Sequence, residues 1–339
     1  MATMAMDERK QRILGAVVTL YSDAGEPVGS GVLANHFEMA VSSATLRNEM
    51  AALTKLGLLE QPHTSAGRVP SAKGYRYYID NILQQSAPLG SMVQRQIRET
   101  LSALDQEPYK LAQGAAKELA KMTGYTVAVT TPRADDLCIA HFEVVQVGRY
   151  AAAVLAVTSS GGVRTRVAHV DKGLTREDAA NLAALLNGSL TFIVPVDVSQ
   201  SLLQRLSAQT ERGFLPILQA AVAILQDAAD PHVFLGGEQN LLAWPELRDY
   251  LPRLLGTLND EEAAGRMITP STNHTTVFFG EDFTPYMPGL CVISKRYLVG
   301  GGLTGTIALV GPARMNFTQL IPVLETFATG LGESMAGKQ

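Results

Sequence analysis

Cysteine is nearly absent from this chain of 339 residues, which holds two, Cys138 and Cys291, 153 positions apart. Neither a disulfide framework nor a four-cysteine zinc site can be built from them, and two thiols in so long a chain fit a reducing cytosol. Metal ligands are equally sparse, because His36, His63, His141, His169, His232 and His274 show no pairing at ligand spacing. Long apolar runs are missing too. The longest, Tyr150 to Val157, falls far short of the roughly 20 residues a bilayer span needs. The opening MATMAMDERKQR turns charged before an apolar signal region can form, so a cytoplasmic protein without membrane attachment is expected. Charged residues make up 18%, against roughly 25% for an average soluble protein. With 46% hydrophobic residues, this excludes a disordered tail protein and a uniformly basic nucleic-acid coat. No Ser–His–Asp or Cys–His set can be assembled. Gly300-Gly301-Gly302 with Gly305 lacks the Gly-Lys-Ser/Thr ending of a phosphate loop and suits a hairpin turn better. No catalysis and no cofactor are expected.

The length suggests two or three domains, and the formal net charge is −4. Eight basic and eight acidic residues fall in residues 1–80, so the negative excess belongs wholly to 81–339. Within the first zone the signs are segregated. No acid lies between Glu60 and Asp80, while Arg68, Lys73 and Arg76 all do.

Local patterns predict a helix over Asp7–Tyr21, a break at Gly25-Glu26-Pro27 and a brief helix over Ser30–Phe37. The next helix is the most informative. Ser42 or Ser43 can cap its start and Gly57 can close its end, and Leu46, Met50 and Leu53 form an inward stripe. Ser43, Thr45, Arg47 and Asn48 are left at or near the outward face of its N-terminal end. That placement matches what a recognition helix needs, where side chains near the N-terminus read base edges in the major groove, Arg pairing with guanine and Asn with adenine, while hydroxyls suit phosphate. Leu58–Gln61 and His63–Val69 read as two strands around a Ser-Ala-Gly turn, a wing with Arg68 as its natural anchor. The predicted interface comprises Ser42, Ser43, Thr45, Arg47, Asn48, His63, Thr64, Ser65, Arg68, Lys73 and Arg76.

Residues 81–91 read as a linker. Two helical segments flank Pro108, Gly124 can close the second, and strand-like runs follow at Thr126–Thr130, Leu137–Val147, Tyr150–Thr158 and Val163–Val170. Gly148-Arg149 and Ser160-Gly161-Gly162 have hairpin chemistry. A helical block then runs to about Asp230, with a capping box at Thr175 and Asp178, a helix end at Gly188 and an apolar run from Leu190 to Val198. Ile217–Leu225 is apolar nearly all round, and Ile217, Leu218, Ala221, Val222 and Leu225 are expected at a subunit interface. Strands resume at Thr275–Gly280, Cys291–Tyr297 and Thr306–Val310, and Asn316–Leu331 closes the chain as a helix.

Pro27-Val28-Gly29-Ser30, Val41–Met50, His63–Pro70, Lys73-Gly74-Tyr75-Arg76, Leu235–Leu242 and Gly311–Met315 together resemble the HrcA family of heat-inducible transcription repressors. The resemblance runs essentially end to end. The family usually carries Arg where this chain has Gly31, and an acidic pair where it has Thr54-Lys55. What the resemblance implies is an α+β protein with a winged helix-turn-helix domain at 1–80, then a GAF-like antiparallel-sheet domain in two parts, 92–171 and 231–339. A mostly helical dimerisation insert would occupy 172–230. It further implies a homodimer that binds an inverted-repeat operator on double-stranded DNA ahead of groESL- and dnaK-type chaperone operons, with activity dependent on the GroEL chaperonin. The alternative expectation is a metabolite-sensing regulator whose GAF-like domain takes a small ligand.

Overall fold

A computed structural model describes residues 6–64, 66–83, 89–134, 138–159, 163–193, 198–229, 232–299 and 303–337. The expected turns at 160–162 and 300–302, residues 84–88 of the linker, residues 194–197 of the 190–198 run and Ser65 lie outside the described residues. The fold mixes helices with antiparallel sheet and packs as two compact units: residues 1–129, 234–298 and 306–339 in one, residues 130–233 and 299–305 in the other.

The first unit opens with helices α1 (Glu8–Ala24), α2 (Ser30–His36) and α3 (Ser43–Lys55). Asp7 caps α1 by accepting the Lys10 backbone N–H at 2.8 Å, and Gly25 ends it in the left-handed conformation. A hairpin follows, β1 (Leu59–Glu60) with β2 (Val69–Pro70), then α4 (Ala72–Tyr77) running into a π-helical turn over Tyr78–Ile82. Helices α5 (Ser91–Ser102) and α6 (Pro108–Thr123) and strand β3 (Thr126–Thr130) come next. Pro108 takes the first turn of α6, where its missing N–H costs nothing, and Gly124 closes the helix at φ 74°.

The second unit holds β4 (Arg133–Ala134), β5 (Ile139–Gly148), β6 (Ala151–Thr158), β7 (Val163–His169), α7 (Arg176–Leu190), α8 (Gln200–Gln209) and α9 (Leu215–Ala229). The capping box of Thr175 and Asp178 is present, but α7 continues through Gly188 to Leu190. Asn187, one position before that glycine, explains the continuation. Its side chain accepts from the Phe142 N–H at 2.9 Å and donates to the Phe142 carbonyl at 2.7 Å, so the last turn is held against β5.

Strands β5, β6 and β7 form their own antiparallel sheet in that order. They were expected to belong with the later strands, outside an insert of 172–230. They pack instead with the helical block, because Phe142, Val144, Ala152, Val154, Ala156 and Ala168 need a cover that α7 and α9 supply. Ile217, Leu218, Ala221 and Leu225 are buried in this core and Val222 packs half-buried against it. The apolar face of α9 assigned to a subunit interface is therefore covered by the chain's own sheet. A helix apolar all round has to hide both faces, and here the hiding is internal.

The chain then returns to the first unit through β8 (Val233–Gly236), 3-10 turns at Glu238–Ala243 and Pro245–Tyr250, α10 (Leu251–Asn259), α11 (Glu261–Ile268), β9 (Thr276–Phe279), β10 (Leu290–Val299), β11 (Leu303–Pro312) and α12 (Phe317–Met335). The strand order is β8-β3-β11-β10-β9. Val127 faces Leu309 across β3 and β11, and Ile293 faces Val277 across β10 and β9. All five residues of β3 are buried, the continuous pattern of a strand covered on both faces. The N-terminal segment is anchored within this unit. Tyr75 stacks on Phe279 with centroids 5.6 Å apart and packs against Phe317, the Tyr78 hydroxyl lies 2.9 Å from that of Thr318, and Ser22 donates to the Met315 carbonyl.

Candidate nucleic-acid interface

Helix α3 begins where Ser42, in extended backbone, accepts the Thr45 N–H at 3.1 Å. Its inward stripe is Leu46, Met50 and Leu53, all buried. Three-residue and four-residue spacing then forces Arg47 and Asn48 outward, and both are exposed. The hydroxyls beside them are already engaged. Ser43 lies 2.9 Å from Ser30 and so ties α3 to α2, while Thr45 lies 2.9 Å from Ser42. The acid on this helix is neutralised, since Glu49 pairs with Lys10 at 3.3 Å.

Val28 and Arg68 exchange two backbone hydrogen bonds, each 2.9 Å, so the start of α2 carries an extended residue that pairs onto the hairpin. Gly67 makes this approach possible. A Cβ there would sit 2.4 Å from the Val28 carbonyl carbon and oxygen. Gly67→Ala should cost about 1–3 kcal/mol of stability, read as a lower urea midpoint with an unchanged denaturant slope.

Arg68 reaches back across the hairpin. Its Nε donates to the Thr54 hydroxyl at 3.1 Å, and that hydroxyl donates to the Met50 carbonyl at 2.8 Å. The hairpin is thus fastened to α3, and Thr54 is the fastening point. Gln61 holds the loop by donating to the Thr64 and Ala66 carbonyls. Between α2, α3 and the hairpin lies a groove of about 510 Å³, lined among others by Ser30, Gly31, Arg47, Gln61, Thr64 and Arg68. Two arginines therefore share one concave surface. His63 and Thr64 are exposed at the hairpin loop.

The two remaining basic residues are used elsewhere. Lys73 donates to the Leu56 carbonyl at 2.9 Å, placing a cation at the negative end of α3. Arg76 forms ion pairs with Glu281 and Asp282, and its guanidinium lies 5.3 Å from the Phe279 ring centre. Both were expected at the DNA face. Arg76 is instead neutralised by two carboxylates some 205 residues on, and charge so paired has little left for phosphate. Arg76→Ala should leave the salt dependence of DNA binding unchanged, whereas losing a true phosphate contact lowers that slope by about one. Anisotropy titrations across a salt series measure the difference. Of the residues in the groove and its hairpin, the sequence pattern missed Val28, Ser30, Thr54 and Gln61. None carries a signature of its own, since Val28, Ser30 and Thr54 act through partners more than ten residues away and Gln61 through carbonyls of its own loop.

The model for the HrcA protein C terminal domain matches residues 109–321, well over half of the chain. The chain belongs to the HrcA family. The heat-inducible transcription repressor HrcA of Moorella thermoacetica is 34% identical over 341 residues, covering 98% of each chain. That of Brevibacillus brevis is 32% identical over 343 residues, covering 98% of this chain and 99% of the other. HrcA proteins are thus matched along their whole length, including the groove between α3 and the hairpin, which precedes the matched C-terminal domain. A crystal structure of a hypothetical protein aligns with 98% of this chain and 100% of its own at a TM-score of 0.60, with 22% identity, and shows the same fold. Among the described residues no helix is long and apolar enough to cross a membrane, and no cluster of His, Cys, Asp and Glu could hold a metal.

Proposed function

We propose that this HrcA-family chain is a cytoplasmic, sequence-specific DNA-binding repressor of groESL- and dnaK-type chaperone operons. Its first 80 residues act as a winged helix-turn-helix, with α3 as recognition helix and the β1–β2 hairpin as wing, followed by a GAF-like sheet domain. The observation that carries this is the exposure of Arg47 and Asn48 at the start of a helix buried on its other side, beside a groove shared with Arg68. Arg47 and Asn48 read bases. Arg68 contacts the backbone from the wing, and the α3 N-terminus with Ser42 and Thr45 offers hydrogen bonds to phosphate.

An inverted-repeat operator calls for two recognition helices related by a two-fold axis, so the active form is a homodimer. The surface that supports it is the outer face of the β5–β6–β7 sheet. Val145, Ala153 and Val167 stand in one row across the three strands, with Val157 and Val163 in another, and Val145, Val163 and Val167 are exposed. A patch of this kind marks an interaction surface.

Activity depends on GroEL, whose occupation by heat-damaged protein releases the operons. The test is an anisotropy titration of inverted-repeat operator DNA with and without GroEL at several temperatures. Specific binding that GroEL strengthens supports the reading. Equal binding to operator and scrambled DNA overturns the DNA assignment, and indifference to GroEL overturns the chaperonin link.

A further inference from the structure

A second concavity, about 440 Å³, opens in the first unit between the segment around α4 and the loops that flank β9, β10 and β11. Its volume is within the range of small-ligand pockets. Tyr75 lines it while only 2% exposed, and its hydroxyl has no hydrogen-bond partner. Glu246 also lines it, with Oε2 buried and without a partner. Buried polar atoms are nearly always satisfied, and an unpaired one costs about 1–3 kcal/mol. Two among the residues that line one cleft indicate a missing counterpart.

The chemistry of the walls says what that counterpart carries. Three carboxylates line the cleft: Glu60, Glu246 and Glu281. The two cations there are already committed. Lys73 is held by the Leu56 carbonyl, and Arg314 pairs with Glu246 while lying 4.9 Å over the Trp244 ring. Glu60 forms no ion pair among the described residues, and Glu281 is shared with Arg76. Rings of Tyr21, Phe279 and Tyr286 complete the lining. The Glu60 carboxylate without an ion pair and the unpartnered Glu246 Oε2, beside aromatic faces, suit a cation better than an anion. Burial raises the Tyr75 phenol well above its ordinary value, which keeps it a neutral donor or acceptor.

We propose that this cleft binds a small organic cation bearing a primary ammonium, which donates to Glu246 Oε2 and to the Tyr75 hydroxyl. Its walls come from the N-terminal segment and from the sheet loops alike, so an occupant bridges the two.

The test is isothermal titration calorimetry on the full chain with tyramine and cadaverine, and with tyrosol as the uncharged counterpart of tyramine. At least one amine should bind, with tyrosol at least about tenfold weaker than tyramine if tyramine is the amine bound, a factor expected for one charge-assisted hydrogen bond. Tyr75→Phe and Glu246→Gln should each weaken the amine by about tenfold or more. Tyr75→Phe removes an atom without a protein partner, so its thermal midpoint without ligand should match or exceed that of the wild type. Glu246→Gln keeps an acceptor for Arg314 and gives an independent reading. Failure of both amines to bind overturns the proposal, as does tyrosol binding as tightly as tyramine. Retained amine affinity in both variants overturns it too.

Discussion

Val145→Asp combined with Val167→Asp should leave the chain monomeric and weaken operator binding by roughly 10²–10⁴-fold, the range lost when two linked binding events become independent. The two valines flank Ala153 in one row of the β5–β6–β7 sheet, on the face opposite Phe142, Val144 and Val154. They are 42% and 59% exposed, so aspartate meets water in the monomer and the fold is spared. In a dimer joined through this face the carboxylates would be buried without partners, at a cost of several kcal/mol. Sedimentation velocity and circular dichroism separate the outcomes. A double variant that stays dimeric refutes the sheet-face interface. One that unfolds instead is told apart by its lost helical signal, and Thr165→Asp, exposed on the same face, then serves as the second probe. Substitutions on α9 such as Leu218→Asp act differently. They break the unit's own core, because Leu218 is buried, and so report on stability rather than on assembly.

Arg47→Ala should cost about 1–3 kcal/mol on operator DNA, the value of one bidentate base contact, or roughly fivefold to 150-fold in affinity. The loss on scrambled DNA should be far smaller. The structure makes this variant clean. Arg47 is exposed and forms no ion pair among the described residues, and the helix keeps its cap at Ser42 and its stripe of Leu46, Met50 and Leu53. Arg68→Ala is a less direct probe, since it also releases the Thr54 hydroxyl that fastens hairpin to helix. Equal losses for Arg47→Ala on both DNAs would remove Arg47 from base reading and leave it a phosphate contact.

What could be read from the residues was whatever depends on near neighbours. Ser42 and Thr175 cap helices, Gly25, Gly57 and Gly124 end helices or their flanking turns in the left-handed conformation, and α3 shows its outward Arg47 and Asn48 because its inward stripe is unambiguous. Long-range partners could not be read. Nothing near Arg76 announces Glu281 and Asp282, so an arginine in an acid-free stretch looked available when it was paired. The same holds for α9. Its composition demands cover on all sides, yet it does not say whether the cover is a second copy or the strands 139–169. Those strands alternate strictly enough to predict a sheet, and alternation alone leaves open which helices back it.

One consequence of the strand order concerns time. Val127 pairs with Leu309, and residues 130–233 and 299–305, which make up the second unit, lie between them. Closing so distant a pair means that loop entropy is lost before the contact repays it, which slows folding relative to local topologies. During synthesis the strand Thr126–Thr130, with an apolar Val127-Ala128-Val129 centre and destined for full burial, must wait for a partner made much later. Slow closure with an apolar strand uncovered is the condition under which chains aggregate or are taken up by chaperones. For a repressor proposed to act with GroEL, the yield of finished protein would itself track free chaperonin, and maturation alone would then report the load of damaged protein in the cell.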